Sequence, residues 1–201
     1  MKKNYYFLSA QEIDEYYIKK TKSIPKNIKN QKKVLLSFDD GYIGIYRNLL
    51  PMLIELKAKY KKPIKVVLFV NYSFLGTTFD DLEYVDCFQL IEGFKKGFYD
   101  VQSHGHTHFD FTTLTKEEIE FQASQSQKSL KQCLQSVDPE NIVANYIAYP
   151  YGKSNKEIED IISKYYLGAF SYNNQLFDSN KQYNNYKIPR LWTENGKKIN
   201  F

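Results

Sequence analysis

The sequence predicts an α/β fold built on a parallel sheet, either open or closed into a barrel. Short apolar runs typical of buried strands alternate with longer segments in which apolar residues recur at helical spacing. The run at residues 64–70 is continuous and rich in β-branched side chains, as a parallel strand covered on both faces should be. The 201 residues contain neither an internal repeat nor a linker, so we expect one domain over residues 1–201, with its core at 34–192 and an N-terminal helix and loop at 1–33.

Local signals set the predicted order of the elements. Three capping boxes mark helix starts, at Ser9 with Glu12, Thr115 with Glu118, and Ser154 with Glu157. The predicted helices cover residues 10–21, 45–60, 82–97, 116–134 and 155–166. The predicted strands cover residues 34–38, 64–70, 99–103, 142–149, 168–172 and 187–192.

Composition excludes several classes of function. The net charge is +5, from 28 basic and 23 acidic residues, and the lysines form neither a basic stripe nor a nucleic-acid-binding module, so we expect no nucleic-acid partner. No apolar stretch reaches the length of a transmembrane helix, and the one near the N-terminus is too short for a signal peptide. These features predict a cytoplasmic protein without stable membrane insertion, and they leave its oligomeric state unknown.

The two cysteines, Cys87 and Cys133, lie outside any CxxC pattern. Both fall on the apolar faces of predicted helices, which predicts two buried free thiols. Neither is therefore expected to bind a metal or to take part in redox chemistry.

The polar residues best suited to chemistry follow two predicted strands. Residues 37–42 read Ser-Phe-Asp-Asp-Gly-Tyr, and all three histidines of the chain fall within residues 104–108. A buried aspartate pair needs a partner, although each motif taken alone is also consistent with a plain turn. Together, at the ends of two strands, they predict one metal site.

The predicted metal ligands are Asp40, His104 and His108. On a helical turn, histidines four residues apart place both imidazoles on one side, within reach of one ion. Two imidazoles and one carboxylate suit a divalent metal, zinc before the others, and leave positions for water and substrate. Asp39 then points elsewhere and is the predicted catalytic base. His106 would face away from the ion, either supporting a ligand or lying in solvent.

The residues whose side chains are best suited to chemistry share one position in the predicted fold. All fall at or just past the C-terminal ends of predicted strands, where the active sites of parallel α/β barrels lie. They are Asp39, Asp40, His104, His108, Tyr151 and Arg190.

Three motifs in a fixed order resemble those of the polysaccharide deacetylase family, the carbohydrate esterases with a NodB-homology domain (carbohydrate esterase family 4). They are residues 37–42, the Ser-His-Gly-His-Thr-His run at 103–108 and Ala-Tyr-Pro-Tyr-Gly at 148–152, and the resemblance covers residues 34–192. It implies a distorted (β/α) barrel, here of about six to seven parallel strands and so either complete or incomplete. It also implies metal-dependent removal of N- or O-linked acetyl groups from sugars.

The resemblance also implies roles for individual residues. Asp39 matches the catalytic base of the family. The residues that match its metal ligands are Asp40, His104 and His108. Tyr151 matches the residue whose backbone N–H helps to hold the oxyanion, although core packing would explain this tyrosine equally well. Leu191 and Trp192 would wall the acetyl pocket.

Two positions depart from the family pattern. Ala148 stands where the third motif usually opens with an arginine that orients the base, and residues 188–192 contain no histidine where the last motif usually supplies the general acid. We hypothesise that Arg190 replaces the arginine and pairs with Asp39, which would lower the pKa of that carboxyl; a surface arginine is the alternative. We also hypothesise that Asp39 acts as both base and acid, or that a metal-bound water protonates the leaving group. The weaker candidates for the acid are His106 and Glu194.

The leading interpretation is a metal-dependent hydrolase that removes an acetyl group from a carbohydrate in cell-surface polysaccharide biosynthesis. Because no signal peptide is recognised, a small intracellular substrate such as a nucleotide- or lipid-linked sugar is favoured over a finished polymer. The alternatives are a degenerate barrel that binds sugar without turnover, and a hydrolase of another C–N bond, in a formamide or a cyclic amide.

Overall fold

A curled sheet of five parallel strands forms the centre of the fold and makes a half-barrel. The computed structural model describes residues 4–62 and 64–193. The strands in chain order are β1 (Tyr5–Phe7), β2 (Lys32–Val34), β3 (Ser37–Phe38), β4 (Val66–Val70), β5 (Thr78–Phe79), β6 (Leu82–Glu83), β7 (Tyr99–Ser103), β8 (Tyr146–Ala148) and β9 (Gly168–Phe170). The central sheet has the order β3-β4-β7-β8-β9, and every neighbouring pair in it is parallel.

Helices alternate with these strands along the chain. They are α1 (Ala10–Ile13), α2 (Leu50–Tyr60), α3 (Cys87–Lys95), α4 (Lys116–Leu134) and α5 (Lys156–Ile162). A π-helical turn at Asp14–Ile18 extends α1, and another at Ile45–Leu49 leads into α2. Within residues 4–62 and 64–193, no helix is both long and apolar enough to cross a membrane.

Alternate residues of β4 face two different cores. Val66, Leu68 and Val70 pack in a core shared with α2, α3 and α4. Val67 and Phe69 pack on the other face with side chains of α1, β8 and β9. Every residue of β4 is fully buried, which is why the sequence of this strand shows a continuous apolar run instead of alternation.

The structure confirms the α/β class with a parallel sheet, but the sheet is smaller than predicted at both ends. The predicted strand 34–38 is divided, because β2 pairs with β1 in a separate parallel ribbon and only β3 joins the central sheet. The predicted strand 187–192 is reduced to one bridge between Ile188 and Phe170. The described residues therefore form a half-barrel of five strands, fewer than the six to seven expected.

Four predicted helices also change at their boundaries. The helix predicted over 45–60 is α-helical only from Leu50, after the π-helical turn. The helix predicted over 82–97 begins at Cys87, where the Asp86 side chain caps it, since its first residues form a hairpin with β5. Asn155 caps α5 in place of Ser154. The helix predicted over 10–21 is α-helical only as far as Ile13 before the π-helical turn.

The prediction of two free thiols is wrong. Cys87 and Cys133 form a disulfide bond, with their Cα atoms 5.7 Å apart. Cys87 begins α3 and Cys133 lies in the last turn of α4, so the bond joins two neighbouring helices. Both cysteines are half-buried, and Cys133 packs against the core shared by α2, α3 and α4. Spacing along the chain carries no signal that these two helix ends meet in the fold.

Candidate metal centre

The C-terminal edge of the central sheet gathers the polar residues of the site. Asp39 and Asp40 follow β3, and Asn71 follows β4 directly. His104 follows β7, and a 3₁₀ turn at Pro150–Gly152 follows β8. Because all of these strands are parallel, their carboxyl ends meet at one edge and bring distant parts of the chain together.

Asp40, His104 and His108 form a compact cluster. One ligand atom from each lies within 4.8 Å of the others. The Nε2 atom of His108 lies 3.3 Å from Oδ1 of Asp40, and Nε2 of His104 lies 3.6 Å from the same oxygen. Three converging ligand atoms of this kind could hold one divalent cation and leave positions open for water and substrate.

Local backbone conformation, and not a helical turn, brings the two histidines together. Residues 104–108 form an irregular loop in which Gly105 and His108 both have positive φ values, 85° and 59°. The prediction that the spacing of four reflects a helical turn is therefore wrong, although the two rings do lie close, with centroids 5.0 Å apart.

The site residues share an unusual backbone conformation. Asp40 (φ 71°), His108 (φ 59°) and Tyr151 (φ 58°) all adopt the left-handed region that side chains other than glycine rarely occupy. Such conformations cost about 1–3 kcal/mol each and persist where the surrounding structure imposes them, often at functional sites. Seven other described residues apart from glycine also have positive φ, so the conformation supports the site only together with the converging ligand atoms.

Hydrogen bonds orient the predicted ligands. Nδ1 of His104 lies 2.8 Å from the backbone oxygen of Ala148, so this nitrogen donates its proton there and Nε2 is left to face Asp40. A metal-ligating histidine characteristically makes this kind of contact with its second nitrogen. The amide of Asn71 donates to Oδ1 of Asp40 over 3.1 Å. Burial and the neighbouring His104 lower the pKa of His108, which favours the neutral imidazole that a metal requires.

Gln122 of α4 holds the histidine loop from outside the cluster. Its side-chain oxygen accepts hydrogen bonds from the backbone N–H groups of His106 and Thr107, both over 2.9 Å. The ring of His106 packs against Tyr72 and Phe121, and its buried Nδ1 makes no hydrogen bond with any residue that the structure describes. His106 thus lies outside the ligand cluster, between aromatic rings.

Asp39 lies beside the cluster and forms a bidentate ion pair with Arg190. The two guanidinium–carboxylate distances are 2.7 and 2.9 Å, and Arg190 also donates to the Ser37 hydroxyl. The Arg190 guanidinium stacks on the ring of Phe69, 4.9 Å from its centroid. The predicted contact is present, and the alternative of a free surface arginine does not apply.

The electrostatics of Asp39 follow from this pair. Burial alone would raise the pKa of the carboxyl, but the charge and hydrogen bonds of Arg190, with a contribution from His104, outweigh it and hold the pKa of Asp39 below its ordinary value. Oδ2 of Asp39 also lies 3.8 Å from Nε2 of His104. An ionised carboxylate therefore stands directly beside the candidate metal position.

Tyr151 lies at the rim of the site and not in the core. The residue is 58 % exposed, and the centroid of its ring is 4.9 Å from that of His108. A Cβ atom on the next residue, Gly152, would lie 1.9 Å from Cβ of Tyr172, so only glycine fits and the turn is fixed against Tyr172. These facts remove core packing as the explanation for Tyr151.

The remaining predicted residues lie near the chain's C-terminus. Trp192 is 59 % exposed and contacts the ring of Tyr172 edge-on, at 6.3 Å between centroids, and Leu191 is half-buried. Glu194 lies outside the described residues.

Sequence reasoning missed two residues that support the site. Asn71 is 1 % exposed and directly follows the buried strand β4, so a polar residue at that strand end was the available signal. Gln122 is also buried, and its place on the apolar side of a helix that starts with a capping box could have marked it. Both act through hydrogen bonds that only the folded chain brings together.

Comparison with known proteins agrees with this geometry. The model of the family described as polysaccharide deacetylase matches residues 26–169. A search of curated proteins found no match to this chain.

Several solved structures are similar. IcaB from Ammonifex degensii is 21 % identical with a TM-score of 0.73, over 95 % of this chain and 78 % of that one. The Streptococcus pyogenes deacetylase PplD, solved in complex with acetate, is 23 % identical with a TM-score of 0.71, over 93 % and 73 %. A de-N-acetylase from Aggregatibacter actinomycetemcomitans is 19 % identical with a TM-score of 0.67, over 98 % and 81 %. At these identities the likeness establishes a shared fold.

Proposed function

The chain belongs to the polysaccharide deacetylase family, and from that premise we propose that it is a metal-dependent hydrolase that removes an acetyl group, N- or O-linked, from a carbohydrate. One observation carries the proposal. The cluster of Asp40, His104 and His108 lies beside an ionised Asp39 that Arg190 holds in place. Ligands and a base are thus assembled at one edge of the sheet.

We propose zinc as the cation and Asp40, His104 and His108 as its ligands. The donor set fits, because two imidazole nitrogens and one carboxylate oxygen are ligands that zinc binds. The contact of His104 with the Ala148 carbonyl supports this assignment, because it turns Nε2 toward the cluster. When bound there, a divalent cation would supply Lewis acidity toward the acetyl carbonyl and the attacking water.

Asp39 is the proposed general base. Its carboxylate takes a proton from the attacking water as the oxygen adds to the acetyl carbonyl. Arg190 is the proposed positioning residue, because its bidentate pair fixes the carboxylate and keeps it ionised. The backbone N–H of Tyr151 is the proposed hydrogen-bond donor to the developing oxyanion, held by a turn that cannot relax against Tyr172.

The leaving group also needs a proton. We propose that Asp39 returns the proton it has taken, so one carboxyl serves as base and then as acid. His106 is a poor candidate, since its ring packs between Tyr72 and Phe121 instead of facing the cluster. An alkoxide leaves without a strong acid more readily than an amine, which slightly favours an ester substrate over an amide.

We propose that the reaction belongs to cell-surface polysaccharide biosynthesis. The cytoplasmic location expected from the sequence stays a prediction, and the Cys87–Cys133 bond weighs against it. Disulfides persist in oxidising compartments and are rare in the cytosol. Free thiols can be blocked in intact cells with an alkylating reagent before lysis, and the mass of the protein then measured by mass spectrometry. An unmodified mass would indicate the disulfide and an oxidising compartment, and the addition of two reagent groups would indicate free thiols and the cytosol.

The test of the proposed activity begins with chelator-treated protein, reloaded separately with zinc, cobalt or no metal. Acetate release is measured from N-acetylglucosamine oligomers and from acetylated xylooligosaccharides, and bound metal is counted by elemental analysis. We expect acetate only from loaded protein, and about 10²- to 10⁴-fold less from Asp39→Asn, whose metal content should be unchanged. Bound metal without acetate release from either series would contradict hydrolysis and would favour a barrel that only binds sugar.

A further inference from the structure

The end of the sheet opposite the candidate metal centre carries a concentration of lysines. They belong to two segments, residues 26–33, which run into β2, and residues 57–62, which end α2 and lead toward β4. Both segments precede strands, whereas the metal cluster follows strands, so the lysines and the cluster lie at opposite ends of the sheet. The eight lysines, which we call the lysine face, are Lys26, Lys29, Lys32, Lys33, Lys57, Lys59, Lys61 and Lys62.

Folding brings the two segments of the lysine face together. The ammonium group of Lys62 donates a hydrogen bond to the side-chain oxygen of Asn4. The backbone N–H of Lys32 donates to the carbonyl oxygen of the same asparagine over 2.9 Å. Ile28 is 4 % exposed and anchors the first segment in the fold. The lysines therefore share one ordered surface, although their segments are distant in the sequence.

The positive charge of the lysine face is not neutralised. None of its lysines forms an ion pair with another residue that the structure describes, and the two segments contain no acidic residue. Glu12 and Glu15, which follow β1, are already bonded to Tyr6 and Lys22. Removing these eight lysines would change the net charge of the chain from +5 to −3. The excess positive charge of the protein is therefore concentrated at this one end.

A large aromatic side chain lies among the lysines. Tyr60 stands between Lys59 and Lys61 at the end of α2 and is 46 % exposed. The ammonium group of Lys59 lies 5.5 Å from the centroid of the tyrosine ring. Lysine and tyrosine both combine an apolar body with a polar end, so they can bury carbon atoms at a boundary between lipid and water while the polar ends stay hydrated.

We propose that the lysine face docks the protein on an anionic lipid surface. A cluster of four to eight lysines is of the size that anionic lipid headgroups attract, with a similar contribution from each lysine that reaches the surface. Nucleic acids offer the same phosphate chemistry, but the Cys87–Cys133 disulfide weighs against the cytosol, where the protein would meet them. The inference goes beyond the proposed function, because docking needs neither metal nor hydrolysis.

Docking through this end would direct the candidate metal centre away from the lipid. The strand β4 runs from the lysine end of the sheet to Asn71 at the metal centre. Its five residues span about 16 Å. The centre would therefore stay open to material above the surface, while the lysines hold the protein to the lipid.

The test measures cosedimentation of the full oxidised chain with two kinds of vesicle, phosphatidylcholine alone and phosphatidylcholine with phosphatidylglycerol in equal parts. We expect binding only to the anionic vesicles, and it should weaken as salt rises from about 50 to 500 mM, because salt screens exposed charges. Lys32→Gln/Lys59→Gln removes one lysine from each segment and should lower the partition coefficient by about 30-fold, since each lysine contributes about 5-fold.

The matched control is Lys128→Gln/Lys181→Gln, which removes the same charge from exposed positions outside the lysine face. It should lower the partition coefficient by less than about 2-fold, because charges beyond a screening length contribute little. Circular dichroism checks the fold of both double variants. Lys26→Gln/Lys29→Gln repeats the test on the first segment and covers the case that the first variant fails to fold.

Tyr60→Ser separates a lipid surface from a soluble polyanion. On anionic vesicles it should lower the partition coefficient by about 3- to 10-fold, because the ring no longer reaches the lipid boundary. Binding of polyphosphate or single-stranded DNA that depends on Lys32 and Lys59 but not on Tyr60, without binding to vesicles, would assign the face to a soluble polyanion and overturn the proposal. Equal binding to both kinds of vesicle, no binding to either, or equal losses in the two double variants would also overturn it.

Discussion

Loss of the Cys87–Cys133 disulfide should destabilise the protein by an amount that the structure allows us to calculate. The bond closes a loop of 46 residues between α3 and α4. In the chain-entropy treatment, a loop of that length restricts the unfolded chain by about 4 kcal/mol at 25 °C. That is a large part of the total free energy of unfolding of about 5–15 kcal/mol for a typical domain.

Urea unfolding followed by far-ultraviolet circular dichroism measures this directly. For a slope of about 2 kcal/mol per molar urea, the unfolding midpoint of the oxidised protein should lie about 2 M above that of the reduced protein. Cys87→Ser/Cys133→Ser should unfold near the reduced midpoint and should not respond to reductant, which controls for effects of the reductant itself. Before reductant is added, resistance of the cysteines to alkylation shows that the disulfide is present. If the midpoints of such a wild-type sample with and without reductant are equal, the reasoning is refuted.

Three further changes probe the site and its support. Arg190→Ala should lower kcat by about 10²-fold with metal content unchanged, because the carboxylate of Asp39 loses its orientation. Arg190→Lys should recover only part of the lost kcat, because lysine cannot make the bidentate pair. Removing the guanidinium also removes the charge that lowers the pKa of Asp39, so that pKa rises and the acidic limb of the pH–rate profile should move to higher pH; an unmoved limb would contradict the pairing. His108→Ala should bind zinc at least about 10-fold more weakly by competition with a chelating dye while keeping its circular dichroism spectrum, and unchanged affinity would remove it from the ligand set. Gly93→Ala should lower the urea midpoint of unfolding, because the added Cβ would lie 2.1 Å from the tyrosine ring at the start of β7. The cost of overpacking, about 1–3 kcal/mol, exceeds the gain in helix propensity of about 1 kcal/mol. Gly44→Ala is the matched control without overpacking, because its Cβ meets nothing closer than 3.8 Å.

The sequence predicted the place of the site better than its local form. Positions 40 and 104 could be brought together in advance because each follows an apolar run, and parallel strands end at one edge of a sheet. The shape of the histidine loop could not be predicted, because a spacing of four fits both a helical turn and the loop with left-handed Gly105 and His108. Two contacts between distant parts of the chain could not be predicted for another reason. The pairing of Cys87 with Cys133 and the bond from Asn71 to Asp40 depend on which elements become neighbours.

The ion pair between Arg190 and Asp39 also affects how relatives of this chain should be sorted. The two residues are 151 positions apart. The guanidinium reaches the base from a segment just after the bridge between Ile188 and Phe170, and not from position 148, where the motif resemblance would place an arginine. A comparison that requires every residue of each motif would classify this chain as inactive because position 148 is alanine. A comparison that requires only a guanidinium within hydrogen-bonding distance of the proposed base would keep this chain among the candidate enzymes. The position of a guanidinium in the folded chain, and not the residue type at one motif position, therefore decides whether the carboxylate of Asp39 is held.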